Sequence, residues 1–520
     1  MFSTTLGHFK NMVSRRSQPN EIVYYLTKKE KIKLGLTMLS GKVMAVTLLV
    51  ALMKLIPALI ATPAHAADTY TAHELLSFNA LNTVWVLVSA FLVFAMQAGF
   101  VMLEAGFARS KETVNVLMEC IFDTALCGIL FWAIGYAFMF SHGNGFIGQN
   151  WFFLMGAPDT YEATGIPILA HWIFQFAFAD TTSTITSGAM IGRTSFRGDI
   201  LYSIGVTGFI YPIIGHWAWG PDGWLALMGT PGHFLPSLGQ GFRDFAGSTV
   251  VHTIGGFISL AGAIVLGPRI GRVFLRDDKE NGGLQPSNNL PMASVGAFIL
   301  WFGWYGFNTG STLSAMDMQG IGRVAANTTL AACAASLSAM VLPLWFGPNK
   351  GKFDLAFTIN GLLAGLVAIT CPCYWVSPAG AIGIGLVAGI LLYYSTLLLE
   401  HFRVDDPVGA VPVHGINGIW GTISLGLFAC GQFGVTGPTG ADNTAPVKGL
   451  FYGGGWDVFK AQVTGSAIIT VSTFAVAIIL MWVVNQLPHP WKLRVEAEAE
   501  TSPGGLDVFE HGVSAYHTQE

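Results

Sequence analysis

Charge is what this 520-residue chain has least of: 11% of its residues are charged, against about 25% in soluble globular domains. With 26 basic and 30 acidic residues and a net charge of −4, it has no basic surface on which phosphate neutralisation, and hence nucleic-acid binding, could rest. The six cysteines, Cys120, Cys127, Cys333, Cys371, Cys373 and Cys430, form no C-x-x-C and no His-spaced metal signature. They read as small buried hydrophobes, and no metal or other cofactor is expected. No nucleophile–base constellation stands out either, so the chain reads as a non-enzyme. What it has instead is 52% hydrophobic residues, 63 glycines and a mean hydropathy of +0.54. Helices that pack closely in lipid favour small residues. These features define an all-α polytopic membrane protein.

Residues 1–66 read as a targeting segment. Nine of the 26 basic residues precede position 66, an apolar run covers 43–60, and Ala64-His65-Ala66 has the small-x-small pattern of a cleavage site. The alternative is an uncleaved first transmembrane helix. Lys54 interrupts the run, and Pro57 and Pro63 follow it, which favours a signal peptide. Residues 67–490 then form the transmembrane domain, and 491–520 a polar cytoplasmic tail with acidic residues Glu496, Glu498 and Glu500 and a Pro503-Gly504-Gly505 break.

Hydropathy places eleven spans near 83–103, 114–140, 168–191, 200–219, 245–266, 292–311, 325–346, 355–370, 379–399, 408–428 and 463–484, each near the ~20 residues a bilayer requires. With the mature N-terminus outside, thirteen Lys and Arg flank the spans on the cytoplasmic side and four on the outer side. The positive-inside rule therefore predicts an N-out, C-in protein of the cell membrane.

Two segments share the pattern D-x-x-G-x-x-x-V-H: Asp244 to His252 and Asp406 to His414. They open the fifth and tenth spans, an odd offset that reverses direction. The pattern predicts an inverted repeat of five and five helices plus an eleventh, with a substrate site near the midplane. Eight residues at ~1.5 Å set each histidine ~12 Å beyond its aspartate, so the imidazoles approach the middle from opposite sides. A pair of helix-joining hydrogen bonds is the plainer reading. Intramembrane ionisable residues more often line a pathway.

Beyond the repeat, the chain carries Gln97-Ala98-Gly99-Phe100-Val101-Met102-Leu103-Glu104-Ala105-Gly106, Ile185-Thr186-Ser187-Gly188, and Trp301-Phe302-Gly303-Trp304-Tyr305-Gly306-Phe307-Asn308 with Gly310-Ser311. It also has Asp405-Asp406, His414-Gly415, Gly505-Leu506-Asp507, His511-Gly512 and Ala515-Tyr516. On these motifs, in this order from about Val84 to Tyr516, the sequence resembles the Amt branch of the ammonium transporter (Amt/Mep/Rh) family. The resemblance implies a homotrimer with one pore per subunit, moving ammonium or ammonia, with methylammonium as an analogue. It implies an outer ammonium site at Trp219 and Ser311 with Asp244 near it, a gate of Phe178 and Phe307, and a pore lined by His252, His414 and Trp304. It also implies that the tail docks on the inner loops, couples neighbouring subunits and meets a PII-type signalling protein.

Each of these residues has a plainer reading. Trp219 stands where an interfacial aromatic belt would put a tryptophan, Ser311 can bond back to its own helix, and Asp244 can cap one. The chain also departs from the family's pattern. Asp180-Thr181-Thr182 follow Phe178 where small apolar residues are usual, Glu119 stands where a basic residue is common, and Ile191-Gly192-Arg193 replace the common Ala-Glu-Arg.

The expected mechanism follows from solvation. A bare cation in an apolar pore is costly, so a cation–π face and a hydroxyl recruit ammonium outside. Entry past the phenylalanines favours deprotonation, and ammonia then passes the two histidines. The alternative is an ammonium sensor that binds and conducts poorly. A Rh-like gas channel and an intramembrane enzyme fit the motifs less well.

Overall fold

The computed structural model describes residues 71–516, apart from 231, 234–237, 240, 280–281, 284–286, 348–349 and 434–445. The expected signal peptide of residues 1–66 lies outside the described residues.

Among the described residues the architecture is helical, with only isolated β-bridges between loops. Eleven helical segments follow one another: α1 Ala72–Phe107, α2 Ser110–Phe140, α3 Ile168–Gly188, α4 Phe196–Trp219, α5 Ser248–Leu266 and α6 Leu290–Gly310, then α7 Met318–Val341, α8 Leu355–Thr370, α9 Pro378–Phe402, α10 over 411–428 and α11 Asp457–Asn485. Eight helices are long and apolar enough to cross a membrane by length and composition. Of the other three segments, α3 is diluted by its run from Asp180 to Thr184, α8 is short at 16 residues, and α10 begins with a π-helical turn at Val411–Ile416. Helix α1 packs along α6, and α7, α8 and α9 pack together.

Helix starts follow capping chemistry. Thr71 and Glu74 form a capping box on α1, and Asn289, Asp317, Asp354 and Ser377 accept amide hydrogen bonds at the starts of α6, α7, α8 and α9. Helix α1 begins eleven residues before the expected span at 83, and α11 begins before 463, because hydropathy does not register polar first turns, which the capping box holds at α1 and α-helical hydrogen bonds hold at α11.

The tail is ordered against one end of the bundle. Two short helices, α12 Ala497–Thr501 and α13 Gly505–His511, follow a strand-like segment in which the Ser195 N–H donates to Leu493 and the Val495 N–H to Arg193. Lys111 donates its Nζ to the Glu500 and Ser502 carbonyls at 2.8 and 3.0 Å. The Glu500 carboxylate pairs with Arg494 at 2.6 Å and accepts the Ile270 amide.

An ion-pair belt lies beside it. Arg269 forks onto Asp405 at 2.8 and 2.9 Å, Arg272 reaches Asp405 at 3.1 Å, and Arg272 also pairs with Glu400. Arg193 donates to the Asp405 carbonyl at 2.6 Å. Burial opposes ionisation of Asp405, but the hydrogen bond and charge of Arg269, with Arg193 beyond, hold its carboxyl well below the usual carboxylate range.

Candidate functional site: a cavity leading to paired histidines

The D-x-x-G-x-x-x-V-H repeat is a structural device used twice. Asp244 turns its carboxylate onto the N–H groups of Gly247, Thr249 and Val250 at 3.0, 2.8 and 2.9 Å. Asp406 does the same with Gly409, Ala410 and Val411 at 3.0, 3.0 and 2.8 Å. In each segment the glycine takes a positive φ, +109° at Gly247 and +80° at Gly409, which lets the chain curl under the carboxylate. A π-helical turn follows each cap, Ser248–Thr253 and Val411–Ile416, and each contains the histidine. Its wider turn offsets the imidazole from an ordinary helical register, a common feature of functional sites.

The two segments run antiparallel. A side chain at Gly256 would strike the backbone of Gly415, and one at Gly418 would strike Ser248 and Thr253. As α10 advances, its contacts on α5 retreat. This close crossing brings His252 and His414 together, Nδ1 to Nδ1 at 3.2 Å, with ring centres 5.2 Å apart. One nitrogen must donate and the other accept, so the two rings hold opposite tautomers. One outward Nε2 is then a donor and the other an acceptor. His252 Nε2 is buried without a hydrogen-bond partner.

Aromatic rings continue the column. Trp304 lies 5.1 Å from His252 at 19° and donates its Nε1–H to Thr370 at 2.8 Å. Phe307 lies 5.5 Å from His252, and Phe178 stacks on Phe307 at 4.0 Å and 26°. Trp219 meets Phe178 edge-on at 6.0 Å, pinned by its Nε1–H to the Asp244 carbonyl at 2.7 Å. A side chain on Gly247 would press on the Trp219 ring.

Above the phenylalanines lies a cavity of about 510 Å³ lined by Phe178, Trp219, Asp244 and Ser311, among others. Ser311 donates to the Phe307 carbonyl at 2.9 Å, which leaves its oxygen lone pairs for an incoming donor. All eight residues expected at the site thus fall on one path: Trp219, Ser311 and Asp244 at the cavity, Phe178 and Phe307 below it, then His252, Trp304 and His414. Asp244 takes the capping role of its plainer reading while also lining the cavity. Backbone amides occupy both its carboxylate oxygens, so it offers the cavity a fixed carbonyl and a held loop. Among the described residues no group of three His, Cys, Asp or Glu side chains could hold a metal ion.

The profile of the Ammonium Transporter Family matches residues 84–516. The chain belongs to this family. It is similar to "Ammonium transporter Amt2" of Archaeoglobus fulgidus, with 42% identity over 84% of this chain and 88% of the relative. "Ammonium transporter 1 member 3" of Solanum lycopersicum is 35% identical over 85% of this chain and 94% of its own length. Among solved structures, a "Sensor Amt Protein" matches with a TM-score of 0.71 at 32% identity, over 84% of this chain and 99% of that one. Saccharomyces cerevisiae Mep2 also matches at 0.71, with 26% identity over 84% and 93%.

In this family member two cavity residues escaped the sequence reading. His171 stacks on Tyr161 at 3.8 Å and 4°, accepts or donates at Tyr136 Oη at 2.8 Å, and meets the Gln175 amide at 3.3 Å. The Gln175 Oε1 is buried without a hydrogen-bond partner. The signal was available in the spacing: 171, 175 and 178 share one face of a helix.

Proposed function

We propose that the chain carries ammonium across the cell membrane as ammonia plus a separately handled proton. The observation that carries the reading is the unbroken column from the Trp219–Ser311 cavity, past stacked Phe178 and Phe307, to the hydrogen-bonded His252–His414 pair. Trp219 supplies a cation–π face worth about 0.5–2 kcal/mol. The Ser311 hydroxyl accepts a hydrogen bond, which ammonium can give and potassium cannot. Phe178 and Phe307 mark the change to an apolar environment, where the neutral form of the substrate is favoured. The histidine pair offers ammonia both a donor and an acceptor nitrogen.

The topology that goes with this reading is eleven spans, N-out and C-in, in a homotrimer with one pore per subunit. The support is the charge asymmetry of the flanking loops and the antiparallel crossing of α5 and α10. Residues 491–516 then lie in the cytoplasm, where the docked tail is the surface offered to a PII-type regulator.

Ammonium-evoked current in proteoliposomes of the purified full chain, with potassium as control, tests the reading. A current that saturates with ammonium and is absent with potassium is the expected result. In His252→Ala, current is expected to vanish while ammonia flux persists; unchanged current would remove the proton role of the pair. Ammonium binding without current or flux would favour the second reading, a sensor, to which the similarity with a solved sensor protein gives weight.

A further inference from the structure

The interior of α1–α4, away from the histidine column, holds five buried carboxylates: Glu104, Glu119, Asp123, Asp180 and Asp199, none more than 3% exposed. Phe178 and Asp180 are two residues apart on α3, about 200° around a helix. The gate phenylalanine therefore faces the pore while Asp180 faces Gln97 of α1 and Thr124 of α2. Glu119 and Asp123 stand one turn apart on α2. Asp199 opens α4, and Glu104 closes α1 and is touched by Ser187 at 3.5 Å. Asp199, Asp180 and Glu104 all lie within Coulomb reach of Asp123.

Among the described residues none of the five enters an ion pair. The other titratable groups facing them are Cys120, Cys127 and Tyr202, and none of these is a cation. Both carboxyl oxygens of Asp123, Asp180 and Asp199 lack a hydrogen-bond partner. A second and independent feature points into the same space. Tyr202 Oη and Ser203 Oγ are fully buried, also without a hydrogen-bond partner, and are directed at Asp199 and Asp123. Donors and acceptors thus face one another without closing into bonds.

One end of the cluster is wired to the tail. Asn115 donates its Nδ2–H to Glu119 at 2.7 Å, its Oδ1 meets His511 Nε2 at 2.9 Å, and its backbone N–H donates to Asp507 at 3.0 Å. With Asn115 Nδ2 donating to the carboxylate, its Oδ1 is the acceptor, and His511 presents Nε2–H. At this end the cluster meets an ordered polar contact in place of bulk water.

Isolated charges in an apolar interior are too costly to leave unpaired, and neighbouring carboxylates titrate as a set. We propose that Asp180, Asp123, Asp199, Glu119 and Glu104 form a proton-binding file, distinct from the histidine pore, whose protonation state is coupled to the docked tail. In each exchange the O–H bond of one carboxylic acid breaks and a new O–H forms on the next carboxylate, directly or across the Tyr202 or Ser203 hydroxyl. The positive charge moves with the proton, the negative charge passes back to the carboxylate that released it, and nothing is oxidised. The occupant is the proton itself: the groups are too many for one cation and lack the convergent geometry of a metal site.

Infrared spectroscopy of the full chain in lipid nanodiscs, as pH is stepped in H₂O and in D₂O, tests this. The wild type is expected to give a carboxylic-acid C=O band that titrates and shifts in D₂O. A band that neither titrates nor exchanges would overturn the proposal without any variant. Asp180→Asn, nearly isosteric, is expected to remove part of the band and to move the midpoint of the remainder by about one pH unit or more, since coupled groups share their titration. An unmoved midpoint would mean independent carboxyls and end the idea of a file. His511→Ala is expected to move the midpoint as well; a midpoint unchanged in this variant would refute the coupling to the tail.

Discussion

The two capped segments at the starts of α5 and α10 are built alike and live in different surroundings. Each has an aspartate gripping three amides, a glycine at positive φ, a π-helical turn and a histidine at the crossing. Around the first, the Asp244 carbonyl and the bare Cα of Gly247 position Trp219 at the cavity. Around the second, Asp405 precedes the capping aspartate and locks the loop to Arg269 and Arg272. The motif delivers the histidines, and its neighbours decide what each end does. One end lines the cavity beside Trp219 and Ser311, and the other is clamped next to the tail.

The clamp is where the comparison breaks most sharply. Asp405→Asn is expected to cost about 3–5 kcal/mol, since it leaves Arg269 buried without its carboxylate and Arg272 with Glu400 alone; thermal unfolding in detergent reads it. The carboxyl titrates below its unfolded value, so its stabilisation is complete above about pH 5 and is lost as pH falls through the folded value. The gap between variant and wild type should therefore narrow in acid. A gap that widens in acid would contradict the assignment.

The glycines give the next contrast. In Gly247→Ala the new methyl meets Val251 at 2.7 Å and Trp219 at 3.1 Å, whereas in Gly409→Ala it meets only the amide end of Asn360 at 2.8 Å. With left-handed strain of about 1–3 kcal/mol at either site, Gly247→Ala is expected to be the more destabilising. It should also raise the ammonium concentration at half-maximal current, which Gly409→Ala should not. Equal effects of the two would mean that the segments are interchangeable.

Smaller effects sharpen the cavity side alone. Trp219→Leu removes a cation–π face of about 0.5–2 kcal/mol and should weaken half-saturation roughly 2- to 30-fold. Ser311→Ala removes one acceptor worth about 1 kcal/mol, so ammonium-over-potassium selectivity in paired current recordings should fall about fivefold.

Much of this is visible in one dimension because it depends on local chemistry. Apolar runs announce the helices, and the cap residues Asn289, Asp317, Asp354 and Ser377 announce their starts. The eight-residue interval from aspartate to histidine holds because the aspartate caps the start of the helical segment that carries the histidine. Asp180 and Glu119 could be singled out as misplaced charges, but not as members of one cluster. Their partners Glu104, Asp123 and Asp199 lie on other helices, and nothing in the local pattern says which faces meet. Gln175 and His171 escaped for a related reason, since a polar side chain on a helix reads as solvated until a cavity is found beside it.

By itself, then, the sequence determined the membrane class of the chain, its family, the repeat and the identity of the residues along the column, all of which rest on composition and short-range spacing. The tertiary structure alone decided that His252 and His414 meet nitrogen to nitrogen, that backbone amides fill the oxygens of Asp244, that the tail reaches Asn115, and that five carboxylates share one interior. These depend on the rotation and approach of separate helices, set by packing at close crossings such as Gly256 on Gly415, and no local interval in the chain encodes them.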